Sequence, residues 1–319
     1  MIISKNTTLK RIYDFECFSD VKDLLIFGGD YFKGDNLLMT LEELNKKNPT
    51  WAVSDMIYGL NHLAENTFKV FSPYGEGNPK SKVKLIYLPA EKRKKDYFVI
   101  FLAGGAYGAV CTMVESLPVA ARLNELGIDC FCLNYETATT QSFINGLLPA
   151  PIDDLAAACK FIFNDSVFNF DSYVVCGFSA GGHIASLWGT AELGARKYGI
   201  SQPKALMLAY PLITMENALD TPIAKYMCTG MFGKNYDLNK IREFDASRHI
   251  DNKYPKTFIV RAKDDTIVSQ KDTVDLKIAL DKENVPCVIE EALSGGHGFG
   301  LGSKTPLCGW EKHAIEYID

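Results

Sequence analysis

The sequence predicts an α/β protein, a mostly parallel sheet with helices on both faces, entered through a helical N-terminal segment. From about residue 67 onward, short apolar runs rich in β-branched and aromatic residues alternate with helix-length amphipathic segments. Strands separated by helices need right-handed crossovers, and these build a parallel sheet covered on both sides. A serine also stands between glycines, in Gly177-Phe178-Ser179-Ala180-Gly181-Gly182, where an apolar run meets a helical segment. That is the form of strand-to-helix turn that lifts a hydroxyl above a parallel sheet, and its small residues relieve crowding within a tight bend.

The elements follow in order. Residues 1–66 form a unit apart, with helical patterns over Thr40 to Lys47 and Val53 to Glu65 and a Pro49 break between them. Thr40-Leu41-Glu42-Glu43 has the form of a capping box. Too few β-formers occur there for a long strand, so the segment is expected to be a helical extension or cap. The main domain, 67–319, opens with an antiparallel pair, Phe68 to Phe71 and Val83 to Leu88. Tyr97 to Leu102 is apolar throughout, as a strand buried on both faces must be. A helix over Val114 to Leu126 leads to a strand at Asp129 to Leu133. Pro151 to Phe163 reads as a helix with Pro and two aspartates in its first turn, where the absent N–H is not missed and the dipole favours negative charge. Tyr173 to Cys176 is the strand before the serine, with a helix from His183 to Gly194 after it. A strand at Lys204 to Ala209 precedes a long irregular segment to about Tyr254. Strand Thr257 to Arg261, helix Gln270 to Lys282, strand Val285 to Glu290 and a last helix from Trp310 complete the series.

Composition narrows the functions available. Hydrophobic residues at 47% and charged residues at 23% suit a soluble globular chain. A net charge of -5 argues against nucleic acid or an anionic membrane as the main partner. The basic run Lys92-Arg93-Lys94-Lys95 reads as a solvated turn. The nine cysteines are an odd number and several lie inside apolar runs, Cys130 and Cys132 on one face, which suits reduced thiols better than a disulfide framework. Met1 to Thr8 lacks the features of a signal peptide, and no stretch approaches the ~20 apolar residues of a membrane span. A cytoplasmic location without a membrane span is therefore expected.

A serine hydroxyl is a weak nucleophile at neutral pH and needs a base, which in turn needs an orienting acid. On this kind of sheet the partners follow the serine in the order acid, then histidine, each in a loop after a later strand. After Thr257 to Arg261 stand two candidate acids in Ala262-Lys263-Asp264-Asp265-Thr266-Ile267-Val268, and the spacing to Val268 favours Asp265. After Val285 to Glu290 stands His297 in Leu293-Ser294-Gly295-Gly296-His297-Gly298-Phe299-Gly300. Ala103-Gly104-Gly105-Ala106-Tyr107-Gly108, after Tyr97 to Leu102, can turn backbone N–H groups inward as an oxyanion hole, with the Ala180 N–H beside the serine. Tyr107 is a candidate for lining the acyl or leaving-group pocket. Tyr135 is a candidate at the rim where open α/β sheets bind ligands. His183 reads as a packed helix residue, and His62, His249 and His313 as surface or helix residues.

From about residue 67 to its end the chain resembles the bacterial esterase/lipase-like branch of the α/β-hydrolases, the acetyl-esterase and feruloyl-esterase-like group. The resemblance rests on Pro118-Val119-Ala120 through Leu133-Asn134-Tyr135, Asp153-Asp154-Leu155-Ala156-Ala157-Ala158, and the serine turn through His183. Asp265-Thr266-Ile267-Val268 and Gly296-His297-Gly298-Phe299-Gly300-Leu301-Gly302 extend it. It implies an α/β-hydrolase fold, a triad of Ser179, Asp265 and His297, and oxyanion donors at Gly105, Ala106 and Ala180. It also implies a short-chain ester substrate, such as an acetylated sugar, and no metal or organic cofactor. The family's oxyanion loop usually reads His-Gly-Gly-Gly, whereas Ala103 stands here in place of the histidine that braces it. Two alternatives stay open: a serine peptidase or amidase on the same fold, and an inactive binding protein that keeps it. The partner expected is a small-molecule ester, and the N-terminal segment is left as a pocket cover or a homodimer contact.

Overall fold

In the computed structural model, residues 3–28, 33–218 and 222–319 are described. Met1, Ile2, residues 29–32 and residues 219–221, the last of these within the segment read as irregular, lie outside them. The first strands are β1 (Phe27–Gly28), β2 (Lys69–Phe71), β3 (Lys84–Leu88), β4 (Tyr97–Leu102) and β5 (Ala109–Val110). Then come β6 (Asp129–Asn134), β7 (Ser172–Phe178), β8 (Ala205–Ala209), β9 (Lys256–Ala262) and β10 (Cys287–Ala292). Helices α1 (Leu9–Tyr13), α2 (Leu41–Lys47) and α3 (Val53–Glu65) precede the sheet. Among the crossovers lie α4 (Ser116–Glu125), α5 (Ser142–Asn145), α6 (Ala150–Asn164) and α7 (Ala180–Trp188). The remainder are α8 (Pro222–Phe232), α9 (Leu238–Glu243), α10 (Gln270–Lys282) and α11 (Trp310–Ile318).

Eight strands form one sheet in the order β10-β9-β8-β7-β4-β6-β3-β2, and β1 with β5 forms a small antiparallel ribbon. The pairs β2–β3 and β3–β6 are antiparallel and every other pair in the large sheet is parallel. Both faces of β4 and β6 are buried, which is why β4 reads as an unbroken apolar run and β6 is apolar from Cys130 to Leu133. One face holds Phe98, Ile100, Tyr173, Val175 and Leu206 against α6 and α7; the other holds Val99, Phe101, Cys130 and Cys176.

The N-terminal segment packs on that second face. Leu9, Ile12, Phe18, Leu41, Met56 and Leu60 are fully buried there. Helix α3 approaches α4 closely at Gly59, where a Cβ would lie 3.0 Å from Pro118 N. The capping box forms: Thr40 Oγ1 accepts the Glu43 N–H at 3.2 Å, and Glu43 Oε2 accepts the Thr40 N–H at 2.8 Å.

Three elements differ from the sequence reading. The helix after the serine runs Ala180–Trp188 rather than His183 to Gly194, because Gly194 packs directly on the Trp188 carbonyl in a turn. The irregular segment contains α8 and α9; Thr229 and Gly230 weaken the helical signal of α8, although Ala224, Cys228 and Met231 bury one of its faces, and α9 is only six residues long. Strand β10 begins at Cys287, since the Val285 N–H still bonds back to Leu280 O and Pro286 has no N–H to give.

Candidate active site

The carboxyl ends of β4, β7, β9 and β10 bring the candidate residues together. Ser179 caps β7 with φ 49° and ψ −116°, a strained conformation that costs on the order of 1–3 kcal/mol. The surroundings hold it there. Its N–H donates to Ala209 O, and its carbonyl accepts the N–H groups of His183 and Leu212, each at 3.1 Å. A Cβ on Gly181 would strike Leu102 O, and one on Gly177 would strike Gly181 O. The glycine pattern is therefore a steric requirement of the turn.

His297 Nε2 lies 2.8 Å from Ser179 Oγ, and His297 Nδ1 lies 2.7 Å from Asp265 Oδ2. The other Asp265 oxygen accepts the N–H groups of Ile267 at 2.8 Å and Val268 at 3.0 Å. A carboxylate only accepts, so Nδ1 carries the proton and Nε2 is left to accept the serine hydroxyl proton. The Asp265 side chain is 3% exposed and that of His297 14%. Neighbouring Asp264 is exposed and accepts the Gly296 N–H at 2.7 Å, holding the backbone of the histidine loop instead. That loop bends through positive φ at Gly296, Gly298 and Gly300, and it rests on Thr50 and Trp51 of the N-terminal segment.

The loop after β4 turns through positive φ at Gly105, Ala106 and Tyr107. Among the described residues, no protein acceptor is recorded for the N–H groups of Gly105, Ala106 and Ala180. Three contacts brace the loop where Ala103 offers no side-chain bond. Glu115 Oε2 accepts the Gly104 N–H in a short hydrogen bond. The Tyr135 hydroxyl donates to Ala103 O at 2.6 Å. The Tyr107 hydroxyl donates to His183 Nδ1 at 2.7 Å, while His183 Nε2–H donates to Phe244 O at 2.6 Å. Burial lowers the His183 pKa to about 4, so the ring is neutral and this tautomer is set by its two partners.

A cavity of about 410 Å³ opens beside Ser179 and Ala106, with Leu212, Met215, Ala224 and Met227 giving it an apolar wall. Tyr135 does not line it: the ring is fully buried under the loop, because its hydroxyl is drawn to Ala103 O. Tyr107, 1% exposed, is likewise turned inward to His183. It borders a second cavity, of about 280 Å³, that shares Ala106 and Met227 with the first. Glu115 and Tyr210 carry no motif that marks them in the sequence. A lone acid in the apolar run Cys111 to Pro118, and a tyrosine just past the end of β8, were the available signals.

The BD-FAE family model matches residues 85–280. An acetylxylan esterase of Xylanibacter ruminicola is 25% identical in an alignment of 213 positions that covers 64% of this chain and 41% of that protein. The chain thus spans about two fifths of the length of the curated relative it matches. Among solved structures, the acetyl ester-xyloside bifunctional hydrolase from Caldicellulosiruptor lactoaceticus superposes with a TM-score of 0.63 at 27% identity, over 78% of this chain and 90% of that one. The carboxylesterase Cest-2923 from Lactobacillus plantarum superposes with a TM-score of 0.62 at 20% identity, over 79% of this chain and 96% of that one. The shared architecture is the α/β-hydrolase fold. No helix among the described residues is long and apolar enough to cross a membrane.

Proposed function

The chain belongs to the BD-FAE family of α/β-hydrolases, and on that premise we propose that it is a serine carboxylic-ester hydrolase that acts through an acyl-enzyme on short-chain esters. The single observation that carries the reading is the relay Ser179 Oγ, His297 Nε2, His297 Nδ1, Asp265 Oδ2, with contacts of 2.8 and 2.7 Å. In this mechanism His297 takes the Ser179 proton as Oγ attacks the ester carbonyl. The N–H groups of Gly105, Ala106 and Ala180 receive the oxyanion, each such donor contributing about 3–4 kcal/mol. His297 then gives its proton to the leaving alcohol and afterwards activates water to release the acid. Asp265 keeps the productive tautomer and stabilises the imidazolium.

The apolar wall of Leu212, Met215 and Met227 favours a short acyl group over a charged one. Acetylated sugars are the substrate class we favour, since the relatives named above include an acetylxylan esterase and an acetyl ester-xyloside hydrolase. All nine cysteines are unpaired and six are buried, which supports a reducing, cytoplasmic setting. Turnover of p-nitrophenyl acetate, butyrate and octanoate by wild type and Ser179→Ala tests the reading. Acetate should be preferred and the variant inert. Equal turnover by both proteins would refute the role of Ser179.

A further inference from the structure

We propose that Glu115 is a positioning residue for this acyl transfer, a buried carboxyl that ties the oxyanion loop to the His297 loop through Tyr210. The inference rests on the reading of Ser179 as the nucleophile. Glu115 lies just before α4 and is 4% exposed. Its Oε2 accepts the Gly104 N–H, and its Oε1 accepts the Tyr210 hydroxyl at 3.0 Å. The Tyr210 hydroxyl in turn accepts the Gly300 N–H at 2.9 Å. The Tyr210 ring also stands edge-to-face against the His297 ring, with centroids 4.9 Å apart. One unbroken chain of hydrogen bonds therefore runs from the loop that offers the oxyanion donors to the loop that carries the base.

The chain passes close to the nucleophile. A Cβ added to Gly104 would sit 2.8 Å from Ser179 Cβ and 3.0 Å from Glu115 Oε2. Only an acceptor pair satisfies both donors, because Gly104 offers an N–H and Tyr210, already accepting from Gly300, offers its hydroxyl proton. Histidine at position 103 would brace the loop from within; Glu115 braces it from the following segment, which frees Ala103 to be small. The titratable groups that face Glu115 are Tyr210, Tyr135, Cys111, Cys176 and His297. Burial raises its pKa to about 7.

Glu115→Gln, Tyr210→Phe and the double variant test this by kcat, KM and the pH dependence of kcat/KM on p-nitrophenyl acetate. Each single change should lower kcat by about 10- to 100-fold with KM moved less than about 3-fold. The double variant should lose little more than the worse single, since both cut one chain. In Glu115→Gln the acid limb should also move to lower pH, because a carboxyl that must ionise at about pH 7 to accept from both donors is replaced by an amide that does not titrate; a purely structural role would not move it. A limb that stays in place with kcat within about 2-fold of wild type, or losses that multiply in the double variant, would overturn the proposal. Thermal melts show whether each variant folds. If Glu115→Gln does not, Tyr210→Phe, which keeps the ring, carries the kcat test alone. If wild type hydrolyses no ester, the rate of Ser179 labelling by a fluorophosphonate replaces turnover. Slower labelling of the variants supports the proposal and equal rates overturn it. No labelling of wild type overturns the nucleophile reading itself, and the proposal with it.

Discussion

Replacing Asp265 by asparagine should disable the base through its tautomer rather than through lost packing. Asp265 Oδ1 already accepts two backbone N–H groups, from Ile267 and Val268. The asparagine carbonyl oxygen must therefore take that place, and the amide NH2 then faces His297 Nδ1, now 2.7 Å from a carboxylate oxygen. An NH2 donor there forces the proton onto Nε2, where it cannot accept from Ser179. Loss of the productive tautomer costs on the order of 10⁴ in kcat. The competing orientation turns the NH2 toward two backbone donors and leaves both unpaired, at about 1–3 kcal/mol each. Even at the lower bound of about 2 kcal/mol the flipped amide holds only about 3% of the population, so the loss lies between about 30-fold and 10⁴-fold. Asp264→Asn is the control. Its Oδ1 keeps the Gly296 N–H on an exposed side chain, and kcat should stay within about 3-fold of wild type. Initial rates on p-nitrophenyl acetate, beside a thermal melt, measure both. Asp265→Asn retaining more than a tenth of wild-type activity, or equal mild effects from the two changes, would refute the argument.

Three further outcomes are expected. The folded-state pKa of His183 lies at about 4 against an ordinary 6.5, so the unfolded chain binds the extra proton and this contribution to stability is lost as pH falls from about 6.5 to about 4. Relative to wild type, His183→Gln should then gain up to ~3 kcal/mol over that window in urea denaturation, and a difference independent of pH would contradict it. Met227→Ala widens the cavity of about 410 Å³ and should raise kcat/KM on octanoate relative to acetate by several-fold or more; an unchanged ratio of rates would remove that wall from the acyl site. Trp51 abuts the histidine loop at Gly298, yet among the described residues none of 1–66 lines the larger cavity. Trp51→Ala should therefore lower kcat alike on acetate, butyrate and octanoate, and a change in chain-length preference would instead assign the segment to a lid.

Much of the fold was legible because it follows from local pattern. Tyr97 to Leu102 reads as a central strand since burial on both faces demands apolar residues at every position, and β4 has those bounds. Helix Gln270 to Lys282 and the Thr40 capping box were equally readable, being set by side chains within one turn of their ends. Helix α8 was not, because its stability comes from packing one face under Ala224, Cys228 and Met231 rather than from helix-forming residues.

At the site the same division holds. Order along the chain, glycine content and residue chemistry are local needs, and they mark Ser179, Asp265 and His297 as candidates without coordinates. What faces what across the sheet is a property of packing. Tyr135 sits one residue past the end of β6, where its position suggested a pocket rim; only the tertiary arrangement shows its hydroxyl turned under the loop to Ala103 O. Glu115 and Tyr210 are 95 positions apart, and nothing local joins them. They meet because β4, β7 and β8 lie side by side, and a buried carboxyl must find its donors wherever the folded chain brings them.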